Sequence, residues 1–178
     1  RQAAMSPSLS SPRIAIIGAG IIGLSCAWEL AKRGAHVTLF DSGFYPGRGA
    51  SWAAAGMLAP AYEAAAEPGV HPRLFDLCLK SARQWIDMSG AIAAVTRRDV
   101  LHSIGPSLAV AQTAEDRIQL AGLAKALTAR KIAFDVLSPD EAVQAEPCLR
   151  PGNKGALRLP TDGQVDNRLL VEALIRAL

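Results

Sequence analysis

A glycine-rich turn between an apolar run and an amphipathic segment constrains the fold of this chain more than any other feature. The run is residues 14–17, and Gly18, Gly20 and Gly23 follow it with the spacing G-x-G-x-x-G. A short apolar run bounded by charge and by glycine predicts a buried parallel strand. Apolar side chains then recur at helical spacing after Gly23, so the sequence predicts the βαβ start of a doubly wound sheet.

Each glycine has a physical task in this turn. Gly18 allows a sharp turn off the strand, Gly20 leaves room for a pyrophosphate, and Gly23 allows the helix to pack closely on the strand. The amides and the positive dipole end of the helix favour a bound anion. Gly34 predicts the end of the helix. The second strand ends on Asp41, whose carboxylate can accept hydrogen bonds from ribose hydroxyls and would repel a 2′-phosphate. The pattern therefore predicts a dinucleotide site and argues against NADP.

Composition and charge exclude several other classes of function. The chain of 178 residues is 50% hydrophobic, which is sufficient for a core, and its net charge of +3 is not concentrated in any basic run. Nucleic-acid binding therefore has no support. No stretch approaches the ~20 apolar residues of a membrane span, and no signal peptide is present, so we expect a cytoplasmic protein. The three cysteines and three histidines lack metal-site spacing, so no metal is expected.

The sequence after Asp41 does not continue the alternation of strands and helices. A loop spans residues 42–49, and no third βα unit follows it promptly, which favours flavin enzymes over ordinary NAD dehydrogenases. The next predicted elements are a helix from Pro72 to just before Gly90 and a strand pair at 100–104 and 108–111 around Gly105-Pro106. Two helices follow, one from Thr113 to about Arg130 and one opened by a Ser138/Glu141 capping box. The last predicted elements are a strand at 155–159 and a helix capped by Asp166.

The predicted fold class is α/β, with a Rossmann-like βαβ start that a mixed α+β segment interrupts. Residues 1–12 are expected to be a disordered leader, and 13–60 the nucleotide-binding βαβ unit with the loop that follows it. Residues 61–160 are expected to form part of a second domain, and 161–178 a helix returning to the nucleotide-binding domain. Because the chain starts with Arg1 and stops inside a helical pattern at Leu178, we expect an incomplete fragment of a longer protein.

Two features in the region of residues 48–60 allow more than one interpretation. The alanine-rich stretch could be a first helical turn capped by Ser51 and packed in a core. Alternatively, its small side chains could let the backbone lie flush against a flat cofactor. Arg48 could counter a phosphate charge or be a solvated loop arginine, and we favour the second interpretation.

Four motifs together resemble the FAD-dependent D-amino-acid oxidase superfamily, with glycine oxidases of thiamine biosynthesis as the most similar branch. The motifs are residues 18–23 (Gly-Ala-Gly-Ile-Ile-Gly), 41–43 (Asp-Ser-Gly), 53–58 (Ala-Ala-Ala-Gly-Met-Leu) and 162–166 (Asp-Gly-Gln-Val-Asp). The resemblance covers residues 13–178. Two departures are that Asp41 replaces the usual glutamate, and that Trp52 is an additional residue relative to some glycine oxidases.

The resemblance implies FAD as the cofactor. Residues 13–60 would then be the FAD-binding βαβ unit with a flavin-contacting loop, 61–160 part of the substrate domain, and 161–178 a helix returning to the FAD-binding domain. The resemblance also assigns the FAD contacts by position. Besides the three glycines of the loop, these are Ile21 and Ile22 at the helix start, Asp41 and Ser42 at the adenosine ribose, Ala50 and Ser51 at the pyrophosphate, and Ala55, Gly56 and Met57 at the flavin. No residue of this chain is implied as a catalytic group, because the family's carboxylate-binding arginine and active-site tyrosine lie in a later part of the sequence.

The resemblance also implies an activity. Such an enzyme oxidises the α-carbon of a small amine or amino acid, with glycine favoured, and the imine hydrolyses to an oxo acid and ammonia while O₂ is reduced to hydrogen peroxide. A homo-oligomer is possible by the same resemblance. The alternatives are another D-amino-acid or sarcosine oxidase or dehydrogenase, an inactive nucleotide-binding fragment, and an NAD-dependent dehydrogenase.

Overall fold

The computed structural model describes residues 11–62 and 72–178, so the predicted leader falls almost entirely outside it. The chain divides into two compact units. The first comprises the described residues of Arg1–Ala55, together with Ala91–Val100 and Asn167–Leu178. The second comprises the described residues of Gly56–Gly90, together with Leu101–Asp166.

The first unit begins with the predicted βαβ arrangement. Strands β1 (Arg13–Ile17) and β2 (His36–Phe40) are parallel, and helix α1 (Ile21–Lys32) connects them. Gly34 has a φ of +83°, the left-handed conformation expected just after a helix. The prediction that β1 is buried is wrong, because exposed and half-buried side chains alternate along it and Ile17 is 92% exposed. The described residues contribute two strands to this sheet. So narrow a sheet offers too little area for other elements to bury both of its faces.

Two further helices lie wholly within the first unit. Helix α2 (Ala50–Ala53) is a single turn, and helix α6 (Asn167–Ala177) packs against both α1 and α2. The buried side chains of α6 are Leu170, Val171, Ala173 and Leu174. Gly47 is buried with a φ of +70°, and a Cβ atom at this position would overlap the side chain of Val171. The loop before α2 is therefore packed closely against α6.

The second unit contains two antiparallel three-stranded sheets. The first has the order β3-β8-β4, with β3 at Met57–Leu58, β4 at Ser103–Ile104 and β8 at Gly163–Gln164. The other has the order β5-β7-β6, with β5 at Ser107–Val110, β6 at Asp135–Leu137 and β7 at Ala156–Leu159. Helices α4 (Ala114–Ala129) and α5 (Pro139–Ala145) accompany them. The core cluster of this unit is Ala61, Ala109, Leu123, Leu127, Leu157 and Leu159.

Several predicted elements of the second unit are confirmed. Thr113 and Asp116 form a reciprocal capping box at the start of α4. Ser138 and Glu141 form another at the start of α5. The Ser138/Glu141 box and the helix start at Thr113 are confirmed, and the reciprocal bond of Asp116 is an addition to the prediction. Both boxes form because a hydroxyl and a carboxylate three residues apart satisfy amides that the first helical turn leaves unpaired.

Other predictions about this region are wrong. Strands β4 and β5 do not pair with each other but belong to different sheets, and the amide of Gly105 between them donates to the carbonyl of Asp162. Helix α3 (Pro72–Thr96) continues past Gly90. A glycine inside a helix costs only about 1 kcal/mol, and burial of the fully buried Ile92 on the same helix outweighs that penalty.

Candidate cofactor site

The glycine-rich loop has the geometry of a strand-to-helix turn. Gly18 has a φ of +99°, and its amide donates to the carbonyl of Phe40 at 2.7 Å, which ties the end of β1 to the end of β2. Gly20 is the N-cap of α1 and has no side-chain cap. The first amides of α1 therefore lack intrahelical acceptors and point out of the helix end.

Close packing limits two of the glycines to different degrees. A Cβ atom on Gly23 would overlap the carbonyl oxygen of Gly18 and lie 3.0 Å from its carbonyl carbon, so glycine is required there. A Cβ atom on Gly20 would lie 3.3 Å from Oγ of Ser51, a tight contact with the end of a side chain. The first position keeps helix and loop in contact, and the second leaves backbone without a side chain beside Ser51.

Asp41 lies against the glycine loop rather than pointing away from it. One carboxylate oxygen accepts the amide of Ala19 at 2.6 Å, and the other accepts the amide of Gly43 at 2.7 Å. These hydrogen bonds lower the pKa of Asp41 below its usual value, and the bond from Ala19 has the larger effect. The carboxylate is therefore charged at neutral pH and retains lone pairs for further donors such as hydroxyl groups.

Ser51 has a different role from the helix cap considered above. The N-cap of α2 is Gly49, and it makes no side-chain capping bond. The Oγ atom of Ser51 instead accepts the amide of Ile21 at 2.9 Å, across 30 residues of sequence. Ser51 thus satisfies one amide at the start of α1, and a ligand anion would bind the remaining amides of the helix start or displace the Ser51 hydroxyl.

The end of the glycine loop, the loop after β2 and the start of α2 enclose a cleft of about 540 Å³. Five predicted cofactor residues line it: Gly20, Asp41, Ser42, Ala50 and Ser51. Gly18 and Gly23 lie in the packed turn and are not part of the lining, and neither are Ile21 and Ile22. The side chain of Ile22 is 79% exposed.

The structure places the exposed side chain of Arg48 at this cleft, against two aromatic rings. Arg48 lines the cleft, with its guanidinium carbon 3.8 Å from the ring centre of Trp52 and 5.9 Å from that of Tyr45. Stacking on an aromatic face restrains a guanidinium group without neutralising its charge. The signal in the sequence was the spacing of Arg48 and Trp52, which are one helical turn apart.

Asn167 is a second residue of this region that the sequence did not indicate. Its amide nitrogen donates to the carbonyl of Ser51 at 2.8 Å and to that of Trp52 at 3.0 Å. These two bonds attach the start of α6 to α2 and so help to hold the Ser51 hydroxyl in place. No local pattern marks a contact between residues 116 positions apart.

The residues assigned to the flavin by resemblance are not part of the cleft lining. Ala55 ends the first of the three segments that form the first unit, and Gly56 and Met57 begin the second unit. Gly56 has a φ of +77°, and its carbonyl accepts the amide of Val165 at 2.9 Å. Met57 is paired with Gln164, and its side chain is 59% exposed.

Within residues 11–62 and 72–178, no group of histidine, cysteine, aspartate and glutamate side chains could hold a metal ion. The three cysteines, all in this part of the chain, form no disulfide. None of the described helices is both long enough and apolar enough to span a membrane.

Comparison with protein families decides between the nucleotide-binding classes. The model of the DAO family, described as "FAD dependent oxidoreductase", matches residues 13–178. The chain belongs to the DAO family. The resemblance seen in the four sequence motifs is therefore confirmed, and so is the α/β, Rossmann-like fold class.

Individual DAO-family relatives support the same placement. Glycine oxidase of Bacillus licheniformis is 31% identical over 161 residues, which cover 90% of this chain and 41% of that protein. D-amino acid dehydrogenase of Azorhizobium caulinodans is 28% identical, over 92% of this chain and 50% of the relative. The crystal structure of glycine oxidase from Geobacillus kaustophilus has a TM-score of 0.84 at 31% identity, over 94% of this chain and 44% of that one. The chain thus spans half or less of the length of these DAO-family relatives.

The cleft of the first unit fits the adenosine and phosphate part of an FAD molecule. Its volume of about 540 Å³ lies in the range of roughly 300–1,000 Å³ that small-molecule sites occupy. Gly20 presents backbone without a side chain, and the charged Asp41 favours ribose hydroxyls over a 2′-phosphate. The cationic Arg48 adds a charge of the sign that a pyrophosphate requires.

Proposed function

We propose that this chain is the N-terminal part of an FAD-dependent glycine oxidase. The observation that carries the proposal is the position of the Asp41 carboxylate on the amide of Ala19, beside the open end of α1 and the cleft. This arrangement provides amide donors for a phosphate and a carboxylate for a ribose within one unit. Family membership, together with the similarity to proteins named glycine oxidase, supports FAD and glycine as the ligands.

Each cofactor residue has a distinct role in this proposal. The pyrophosphate would be held by the start of α1 at Ile21 and Ile22, together with Ala50, Ser51 and the nearby Arg48. Asp41 and Ser42 would hold the adenosine ribose. The flavin would be contacted by the backbone of Ala55, Gly56 and Met57. The first two of these residues carry a small side chain or none. Bound FAD would supply the two-electron oxidation, in which glycine, water and O₂ give glyoxylate, ammonia and hydrogen peroxide.

The main alternative within the family is a dehydrogenase for D-amino acids. The alignment with the D-amino acid dehydrogenase covers nearly the whole of this chain, and its identity is similar to that of the alignment with the glycine oxidase. The two activities differ in substrate and in electron acceptor. By the resemblance already described, we extend the proposal to an enzyme whose oxidised product serves thiamine thiazole formation and to a possible homo-oligomer. The cytoplasmic location expected from the sequence also remains part of the proposal.

The proposal is tested with the full-length enzyme purified together with its cofactor. Glycine, sarcosine and D-alanine are supplied in turn, and hydrogen peroxide and the reduction of an artificial dye are measured in parallel. Peroxide formation with glycine as the preferred substrate is the expected result. Dye reduction with D-alanine, without peroxide, would support the dehydrogenase instead, and absence of a flavin absorption band would refute both.

The Gly20→Val variant tests the cofactor site separately from substrate choice. A branched side chain at this position would occupy the space beside Ser51, so we expect FAD binding to be lost. Gly122→Val is the matched control, because Gly122 lies in α4 and a Cβ atom there would meet no atom within 4 Å. A Gly20→Val enzyme with full flavin content would contradict the proposed site.

A further inference from the structure

A buried carboxyl group lies at the start of β8, in the Asp-Gly-Gln-Val-Asp motif. The side chain of Asp162 is 3% exposed, and among the described residues Asn153 is the other buried polar side chain. Oγ of Ser107 donates to the Asp162 carboxyl at 2.5 Å. Burial raises the pKa of Asp162 above its usual value, and the bond from Ser107 offsets part of that shift. A carboxyl buried with one hydroxyl partner is unfavourable for stability by itself, and such departures are expected at functional positions.

Asp162 anchors one end of a strand that has few bonds of its own. Strand β8 lies in the middle of its sheet, between β3 and β4, and each of these strands has two residues. The backbone carbonyl of Asp162 accepts the amide of Gly105 at 3.0 Å, and its side chain is held by Ser107. Sheets this short have little intrinsic stability, so these two contacts contribute strongly to the register of β8.

Strand β3 pairs with the other side of β8, and it begins at Met57, one of the residues that the resemblance assigns to the flavin. Met57 is paired with Gln164, and Leu58 with Gly163. The amide of Val165 donates to the carbonyl of Gly56 at 2.9 Å. A shift of β8 would therefore move the backbone of Gly56 and Met57 with it.

We propose that Asp162 is a positioning residue for the backbone of Gly56 and Met57. The hydrogen bond with Ser107 fixes β8, and β8 fixes β3 in its register. Asp162 itself touches no substrate or cofactor in this arrangement. The proposal rests on the proposed function, in which Gly56 and Met57 contact the flavin.

The test uses the full-length, FAD-loaded enzyme and two readouts besides activity: the visible absorption spectrum of the flavin and the Kd for FAD. Ser107→Ala removes the hydroxyl partner with little change in packing. We expect a shifted flavin band and FAD binding weaker by about tenfold, which corresponds to about 1.4 kcal/mol. Asp162→Asn keeps an oxygen that can accept from Ser107, so its spectrum and Kd should stay within about twofold of the wild type.

Asn153→Ala is the matched control for a purely structural effect. Asn153 is as buried as Asp162, and its side chain bonds to the carbonyl of Pro139 and the amide of Gly155. This variant should lose thermal stability and keep the wild-type flavin band and Kd. Unchanged flavin properties in Ser107→Ala, or an equal change in Asn153→Ala, would overturn the positioning role while leaving the proposed function intact. A wild-type enzyme that holds no FAD would overturn both.

Discussion

Replacement of Gly23 by alanine tests the packing on which the cofactor site depends. The new Cβ atom would overlap the carbonyl oxygen of Gly18 and would also lie 3.0 Å from the carbonyl carbon. Both atoms are backbone, so no side-chain rotation can relieve the contact. Helix α1 would have to move away from the loop, and its first amides would move with it.

The expected magnitude follows from the cost of overpacking. Forcing one additional carbon into a packed site costs about 1–3 kcal/mol. That loss raises the ratio of unfolded to folded protein roughly five- to 150-fold, since each 1.4 kcal/mol is a factor of ten. The methyl group of Ile16 that lies 3.5 Å from the new Cβ atom is at an ordinary contact distance, so it adds little to the cost.

Urea unfolding of the full-length protein measures this loss, and FAD titration measures the displacement of α1. The control is Gly90→Ala, since a Cβ atom there meets no atom within 4 Å and the residue lies inside α3. Alanine in a helix interior should stabilise the protein by about 0.5–1 kcal/mol. If Gly23→Ala unfolded at the wild-type urea concentration and bound FAD normally, the close-packing argument would be refuted.

Three further substitutions test other parts of the structure. Ser51→Ala removes a cleft hydroxyl that the proposal places at the pyrophosphate, and apoprotein titration should show FAD affinity reduced by about two- to tenfold, the effect of one hydrogen bond of about 0.5–1.5 kcal/mol. Hydrogen bonds from backbone amides lower the pKa of Asp41. The stability advantage of wild type over Asp41→Asn should therefore be constant above about pH 4 and shrink as the pH falls further. Urea titrations from pH 3 to 7 measure this difference. Burial raises the pKa of Asp162, so wild type should lose stability relative to Asp162→Asn as the pH rises above about 4, and a flat difference would contradict this.

Much of the fold is predictable because its signals are local. The glycine spacing, the left-handed Gly34 and the Ser138/Glu141 capping box each depend on residues within one or two helical turns, and all appear where predicted. The strands β3, β4 and β8 have two residues each, too few for a period-two pattern to be recognised. The assignment of β4 and β5 to different sheets depends on partners that lie more than 45 residues later in the sequence, which no local pattern encodes.

The candidate site divides in the same way. Gly18, Gly23 and Asp41 could be interpreted from spacing alone, because the strand-turn-helix unit positions all three. The role of Ser51 could not, since its hydroxyl bonds to an amide 30 residues earlier. The aromatic partner of Arg48 follows it by four residues and was visible in the sequence, but a solvated arginine and a stacked one have the same spacing.

The first unit shows why the nucleotide-binding segment depends on a helix that lies more than 100 residues further along the chain. Asn167 holds the carbonyls of α2, and Val171 packs against the buried Gly47 in the loop that lines the cleft. Without α6, the loop before α2 would lose its packing surface, and the Ser51 hydroxyl would lose the restraint that places it on the amide of Ile21. The βαβ motif supplies the glycine turn and the carboxylate, but the wall of the cleft opposite them is positioned by the return of the chain at α6. The described residues of the second unit thus lie in the sequence between α2 and α6, two helices that pack against each other in the first unit.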